Sequence, residues 1–397
     1  MTIDVVIPVY RGLDQTRRCI ASVLRWTSPS VGEVVVVDDA TPEPAIAQWL
    51  DELASQGRIT LLRNESNLGF VQSVNRAMAR RPDRDVVLLN SDAEVANDWL
   101  TRLRDAAHRD ADVATVTPFS NNATICSYPF WGWPGGTPGT LGLEGLDALM
   151  ARVNAGASVE IPTAVGFCMY IRRDALNALG AFDAERFGRG YGEENDFSLR
   201  AAKAGRRNML AGDVFVYHEG GVSFSQEASE RTAAATQALV EVHPDYHERV
   251  HAFLVTDGAE PLRMAVDIAR IAISPEEMRH VLQERRAEQH LWAARTRGME
   301  QEVKRREAGQ AAIEAGFADL REQNARLTVA LAAHERASGE ASAVISQLNA
   351  EIANLRQGLA RAEELAFARE KELSDIRSLP LWRYYHYLMR HASRSDA

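Results

Sequence analysis

The chain has 397 residues, 46% of them hydrophobic and 25% charged, with a formal net charge of −10. That length holds a sizeable globular core plus a further region, and the acidic balance argues against a nucleic-acid binder, which carries a basic face. Three cysteines without paired spacing, Cys19, Cys126 and Cys168, read as buried thiols of a reducing compartment, not as disulfides or a metal cluster.

Met1-Thr2-Ile3-Asp4 runs straight into an apolar stretch with no basic, apolar leader. No segment approaches the ~18 consecutive apolar residues of a membrane span. A cytoplasmic location is expected, with any contact at the inner face of the membrane left to the C-terminal tail. Asn64-Glu65-Ser66 and Asn122-Ala123-Thr124 are then accidental sequons.

Val5-Val6-Ile7, ahead of Pro8, opens the elements. Leu13, Thr16, Ile20, Val23 and Leu24 follow at helical spacing, and Val34-Val35-Val36-Val37 then runs into Asp38 with no polar alternation. Such a run predicts a strand covered on both faces. Phe70, Val74, Ala77 and Met78 predict a second helix, and Val86-Val87-Leu88-Leu89 a further buried strand ending at Asn90. Strand and helix alternate, so the sheet is expected to be mostly parallel. Its carboxyl-end rim would collect Pro8 to Arg11, Asp38 to Thr41, and Asn90 to Asp92, which is where open α/β sheets bind ligands.

Each polar cluster at that rim has a bland and a chemical reading. Asp39 can cap its turn through Thr41 and Pro42, or accept the N–H edge of a nucleotide base. Asp92, closing Asn90-Ser91-Asp92, can reach a divalent cation that bridges a diphosphate. Residues 118–140, with Trp131, Trp133 and many Gly and Pro, form a loop of unusual length. It reads either as a packed Ω-loop or as part of an acceptor site whose aromatic faces suit sugar rings.

Glu193, Glu194 and Asp196 open a helix after Gly188-Arg189-Gly190-Tyr191-Gly192. Acidic residues in a first turn favour the helix dipole, but three in four positions exceed that need. Crowded carboxylates raise one another's pKa toward the range of a general base. His218 follows Val214-Phe215-Val216-Tyr217 and precedes flexible glycines, as either a structural or a metal-binding histidine.

Together Ile7-Pro8-Val9-Tyr10, Val37-Asp38-Asp39, Asn67-Leu68-Gly69-Phe70 with Asn75, Leu89-Asn90-Ser91-Asp92, the stretch from Gly190 to Arg200, and His218 resemble a family 2 inverting glycosyltransferase of the glycosyltransferase-A fold. The resemblance spans residues 3–225 and rests on order and spacing. It implies an α/β fold with a mixed, mostly parallel sheet and helices on both faces. It also implies a nucleotide-sugar donor (UDP- or dTDP-sugar), a divalent metal (Mn2+ or Mg2+), and displacement at the anomeric carbon toward a glycan, lipid-linked or protein acceptor. By the same resemblance Pro8, Val9, Tyr10, Asp39, Asn67, Gly69, Asn90 and Ser91 line the donor, and Asp92 with His218 holds the metal. Glu194, then Glu193 and Asp196, are the catalytic carboxylates. The usual Asp-x-Asp triplet appears as Asn90-Ser91-Asp92, one charge short at the metal. That departure keeps a non-catalytic nucleotide- or glycan-binding scaffold open as an alternative, beside a nucleotidyltransferase on a similar fold.

Proline disappears from Glu276 to about Ile376, where Ala, Glu, Arg, Gln and Leu dominate. The expected domains are 1–275 for catalysis, 276–377 for a long helix and coiled coil, and 378–397 for a tail. From Ile313, steps of four and three pass through Phe317, Leu320, Asn324, Leu327, Leu331, His334, Ser338, Ala341, Ile345, Leu348, Ile352, Leu355, Leu359, Ala362, Ala366, Arg369, Leu373 and Ile376. This predicts a coiled coil, leaning to a parallel homodimer, with a trimer or an intramolecular fold-back as alternatives. The tail from Leu381 to Arg394 interleaves aromatic and basic residues, which suits a membrane surface or a partner protein equally.

Overall fold

The computed structural model describes residues 2–188, 190–220, 226–337 and 342–378. It divides into two compact units, residues 1–288 and 289–397. The first begins with β1 (Ile3–Val9), α1 (Leu13–Trp26), β2 (Gly32–Asp38), α2 (Pro44–Ser55), β3 (Thr60–Arg63), α3 (Phe70–Met78) and β4 (Val86–Leu89). There follow β5 (Ala93–Glu94), α4 (Trp99–Ala107), β6 (Val113–Phe119), α5 (Gly142–Val153), β7 (Ser158–Ile161) and β8 (Cys168–Ile171). After these come α6 (Arg173–Leu179), α7 (Ala184–Phe187), α8 (Glu193–Lys203), β9 (Arg207–Phe215), β10 (Tyr217–His218), α9 (Gln226–Val242), α10 (Tyr246–Thr256) and α11 (Glu260–Ile273).

Eight strands form one sheet in the order β3-β2-β1-β4-β8-β6-β9-β7. β3, β2, β1 and β4 are mutually parallel, β6 is parallel to β9, and β8 and β7 are the antiparallel members. The expected mixed, mostly parallel sheet is therefore present. The unalternating valine runs have a direct cause. Val34 and Val36 of β2, with Val87 and Leu89 of β4, enter the larger core on one face, while Val35, Val37, Val86 and Leu88 enter the core on the other. Each fully buried Val or Leu contributes roughly 1.5–3 kcal/mol, so neither face tolerates a polar residue. The cysteines are free and buried as read from the sequence, and burial pushes the Cys126 thiol up to about 12.

A small antiparallel ribbon carries the chemistry beyond the sheet. β10 pairs with β5 through Tyr217↔Glu94 and His218↔Ala93, which brings residue 218 back beside the end of β4.

The first unit reaches beyond residue 275 for an electrostatic reason. Arg270 of α11 has no solvent exposure and donates to Glu277 (2.9 Å) and Glu284 (2.6 and 2.9 Å), both on the first turns of α12 (Pro275–Ala337), and to the Tyr128 hydroxyl (3.0 Å). Glu277 also accepts from the Thr140 hydroxyl (2.7 Å), and Glu288 from the Trp131 N–H (2.7 Å). The start of the long helix thus anchors the aromatic loop. Gly139, at φ +65, is where the loop backbone passes this cluster, and a Cβ there would run into Glu277 and Arg270.

In the second unit, α12 and α13 (Ser342–Ser378) meet through Arg306–Glu372 (2.9 Å) and Arg321–Glu363 (3.3 Å). The rising number on one helix pairs with the falling number on the other, so the two run antiparallel. Phe317, Ile352 and Leu373 are buried, and Leu320, Leu327, Leu331, Ile345, Leu348, Leu355 and Leu359 are half-buried, on the seam read from the heptads. The fold-back, one of the alternatives the heptads leave open, is the pairing present among the described residues, and a second helix of the same chain lies along the stripe. Ser338, Ala341 and the tail from Leu381 to Arg394 lie outside the described residues, as do the side chains of His334 and Ile376. No helix among the described residues is long and apolar enough to cross a membrane.

Candidate active site

Asp38 and Asp39 close β2, and both are buried. Asp38 accepts from the Thr41 N–H (2.8 Å) and from Arg63 Nε (2.8 Å), and so fixes the turn. Asp39 accepts from Asn64 Nδ2 (2.8 Å) and from the backbone N–H groups of Leu68 (2.8 Å) and Gly69 (2.9 Å). The carboxylate therefore organises the turn that leads into α3, and with three of its roughly four acceptor positions filled it keeps one for a ligand. Asn64 also bonds Ser73 and Arg76 from a buried position, which removes it as a glycan acceptor in this fold.

Along the same rim Tyr10 is exposed, with the Arg11 guanidinium 5.3 Å from its ring centre, while Thr41 holds the Tyr10 carbonyl (2.7 Å). Pro8 and Asn67 are half-buried, but Val9 points into the main core at 1% exposure. Only the Val9 backbone faces this region, and its carbonyl accepts from Asp39 N–H (2.9 Å). Ala40, between Asp39 and Thr41, has φ 54. A left-handed alanine costs about 1–2 kcal/mol, a strain that collects at functional sites.

Asp92 and His218 face each other, His218 Nε2 lying 3.4 Å from Asp92 Oδ1. His218 Nδ1 donates to the Asn122 carbonyl (2.8 Å), its ring stacks on Phe167 at 5.2 Å, and Asp92 O accepts from Glu219 N–H (3.0 Å). A carbonyl can only accept, so Nδ1 carries the hydrogen, and in the neutral ring Nε2 then turns a lone pair on the carboxylate. Two acceptors so placed need a proton or a cation between them. Burial pulls the His218 pKa down, but the hydrogen bond and charge of Asp92 and the Asn122 carbonyl outweigh it, and the net shift is up. For Asp92 burial pushes upward, and His218 together with the N–H groups of Asp92 and Gly220 brings the net shift down.

These two donors fit a divalent cation. A histidine that ligates through one nitrogen while donating the other N–H to a backbone carbonyl is the usual arrangement at metal sites. No group of three or more His, Cys, Asp or Glu gathers among the described residues. Asn90 and Ser91 are half-buried beside Asp92, and the Asn90 backbone N–H is held by the Phe167 carbonyl (2.8 Å). The remaining ligands would be phosphate oxygens and water, as is usual for small hard cations.

Glu193 and Glu194 open α8 behind Gly192, whose φ is 92. Burial first, and then the charge of Glu194, hold the Glu193 carboxyl well above its ordinary value. Burial also raises Glu194, against the opposing N–H groups of Glu194, Gly192 and Asn195 and the Asn195 side chain. In each, Oε2 is buried with no hydrogen-bond partner among the described residues. Asp196 differs: its oxygens are taken by Arg200 Nε (2.8 Å) and His243 Nε2 (2.8 Å), so it anchors α8 to the segment after α9. The residues between β7 and β8 link this helix start to the metal-type pair. A methyl group placed on Gly166 would lie 3.7 Å from Glu194 Cγ, and the next residue is the Phe167 that stacks on His218. Tyr191 stands exposed just ahead, at φ 74 between two left-handed glycines.

Residues 4–180 match the family model for Glycosyl transferase family 2. Asp39 and Asp92 fall inside the matched residues, while Glu193, Glu194 and His218 fall beyond them. A curated relative, "Uncharacterized protein y4gI" of Sinorhizobium fredii, is 22% identical over 262 residues, 62% of this chain and 27% of that protein. The chain thus covers little more than a quarter of its relative's length. Among solved structures, GalNAc-T7 with UDP, GalNAc and Mn2+ is similar at 19% identity over 67% of this chain and 53% of that chain, with a TM-score of 0.47. The mannosyltransferase PcManGT from Pyrobaculum calidifontis, in complex with GDP-Man and Mn2+, is similar at 18% identity over 72% of this chain and 79% of that chain, with a TM-score of 0.45.

The raised carboxyls have a consequence for stability. A carboxyl whose pKa is higher folded than unfolded costs nothing below the ordinary range of about 4.5, and its penalty grows as pH rises from there toward the folded value. Glu193→Gln should therefore unfold at a higher temperature than the wild type at about pH 8, with the gap closing toward about pH 4. Thermal melts across that range check it, and a gap independent of pH would remove burial of a charge as the cause.

Proposed function

We propose that the chain transfers a sugar from a nucleotide-sugar donor to a hydroxyl of a glycan, lipid-linked or protein acceptor, with inversion at the anomeric carbon. The observation that carries this reading is the Asp92–His218 pair at the carboxyl-end rim, whose two facing acceptors suit a cation between them. The family 2 match over residues 4–180 supports it. Asp92 Oδ1 and His218 Nε2 would hold Mn2+ or Mg2+, which when bound offsets the negative charge gathering on the departing diphosphate.

The rest falls to side chains of this chain. The rim formed by Tyr10, Asp39 and Gly69 receives the nucleoside, with Asp39 fixing the backbone of Leu68 and Gly69 against it. Glu194, whose Oε2 has no partner among the described residues, takes the proton of the acceptor hydroxyl as that oxygen bonds to the anomeric carbon. The bond from that carbon to the phosphate oxygen breaks, and the nucleoside diphosphate leaves with the electron pair. Attack opposite to departure inverts the centre. Burial and the charge of Glu194 favour the protonated form of Glu193, and Asp196 holds the helix start in place.

Asp92→Ala is expected to abolish turnover and to weaken donor binding in the presence of Mn2+, and His218→Ala to weaken Mn2+ binding more than binding of the nucleotide alone. Paramagnetic resonance of free Mn2+ and release of nucleoside diphosphate from a panel of nucleotide sugars measure both. Wild-type activity in Asp92→Ala would sink the assignment, and pyrophosphate among the products would point to nucleotidyl transfer instead.

A further inference from the structure

The long loop after β6 makes an unusual contact with the ribbon strand β10. Asn121 is 2% exposed, and every polar atom of its amide is used. Its Oδ1 accepts the backbone N–H of His218 (2.8 Å), and Nδ2 donates to the His218 carbonyl (2.9 Å) and to the Gly135 carbonyl (2.6 Å). The Asn121 carbonyl in turn accepts from Gly135 N–H (2.9 Å). One side chain thus satisfies both backbone groups of His218, as a neighbouring strand would, and ties them to the segment that carries Trp131 and Trp133.

The next residue controls the ring. Asn122 supplies the carbonyl to which His218 Nδ1 donates (2.8 Å), and its side chain packs so close to Gly220 that a Cβ there would lie 1.8 Å from Nδ2. Backbone and ring of His218 are therefore set by two consecutive asparagines. Their own position is fixed by Ser120, whose hydroxyl accepts Asn122 N–H (3.2 Å) and whose backbone bonds Cys126 and Tyr128.

We propose that Asn121 is a positioning residue that, with the Asn122 carbonyl, fixes which nitrogen of His218 faces Asp92 and makes that choice depend on the aromatic loop. Without the Asn121 amide, the His218 backbone can move away from the Asn122 carbonyl. The Asp92 carboxylate then draws the ring from the Nδ1–H tautomer toward the Nε2–H tautomer, in which the ring donates to Asp92 and offers no lone pair there. The consequence for donor chemistry rests on the function proposed above, whereas the effect on the ring follows from these contacts alone.

The test uses the full chain with its 10 histidines labelled with 15N, the His218 signals being assigned by their loss in His218→Gln. At a pH high enough that the long-range 1H–15N pattern of His218 no longer changes, so that its ring is neutral, the pattern reports the tautomer. Wild type should show Nδ1–H. Asn121→Ala should shift His218 toward a mixture of tautomers, and Mn2+ affinity should fall about 10–100-fold, the usual effect of losing a partner behind a ligand. Asn121→Asp keeps the acceptor for His218 N–H and loses both donors, and should move the same signals if the alanine variant does not fold.

An unchanged His218 pattern in a folded Asn121 variant overturns the proposal, whatever the melting temperature does. A moved pattern in a protein that binds no Mn2+ upholds the positioning role and defeats the metal part of the proposed function. Mn2+ binding lost in Asp92→Ala but kept in Asn121→Ala, with the tautomer intact, does the reverse.

Discussion

Arg270→Ala is expected to destabilise the first unit by about 3–5 kcal/mol, the cost of leaving a buried charge without its partner. The residue is fully buried, and it is the shared partner of Glu277, at 1% side-chain exposure, and Glu284, at 12%. Removing it takes the cation from two carboxylates at once, although the Tyr128 hydroxyl still donates to Asp267 (2.8 Å) and Glu277 still accepts from Thr140 (2.7 Å). Burial opposes the ionised carboxyl of Glu277, and the Thr140 backbone and hydroxyl donors with Arg270 outweigh it to hold its pKa below the usual range. Loss of the cation should make the variant's stability fall as pH rises above the ordinary carboxylate range of about 4.5. Arg270→Met, paired with apolar replacements of Glu277 and Glu284, should recover most of the loss, because a packed apolar trio needs no charge balance. Denaturant melts of these variants decide the matter, and a near-wild-type Arg270→Ala would show the network to be solvated. The same cluster predicts that a chain ending at 288 keeps the stability of the first unit. One ending at 275 loses Glu277, Glu284 and Glu288 and with them the anchors of Thr140 and Trp131.

This cluster also marks where sequence reading stops. The strands β1, β2 and β4 were legible because burial on both faces demands an unbroken apolar run, and α1 and α3 because a single buried face imposes helical spacing. The rim followed from topology. By contrast, β5 and β10 are two residues each, too short to carry any period, yet they hold Asp92 beside His218. The antiparallel insertion of β8 between β4 and β6 leaves no mark in Cys168-Met169-Tyr170-Ile171, since a buried strand reads the same in either direction. Loss of proline near 275 correctly announced a long helix, but a change in composition cannot show that its first turns pair back onto Arg270. Nor does the sequence separate Asp196 from Glu193 and Glu194: its partner His243 is brought to it only by α9 and the turn that follows. Asn121 was visible as a polar residue in an aromatic loop, with no local signal for its bonds to His218, a contact 97 residues away.

Glu194→Gln should lower sugar transfer by about a hundredfold or more while leaving donor affinity and fold in place, because general-base catalysis typically supplies about 10²–10⁴. The amide keeps the shape and the hydrogen bond from Asn195 (3.1 Å) but cannot take a proton from the acceptor hydroxyl. Since burial holds the Glu194 carboxyl above its ordinary value, the wild-type rate should climb with pH from the ordinary carboxylate range up through that raised value, as the base ionises. The climb should be absent from the residual rate of Glu194→Gln. Burial, not the charge of Glu193, holds the Glu194 carboxyl up, so Glu193→Gln should keep the same limb with a smaller loss of rate. Profiles of kcat/KM against pH for the three proteins, with a nucleotide sugar found active by product release, distinguish the roles. A flat wild-type profile would remove both glutamates as the base, and loss of the limb in Glu193→Gln alone would transfer it to Glu193, whose Oε2 is equally unpartnered among the described residues.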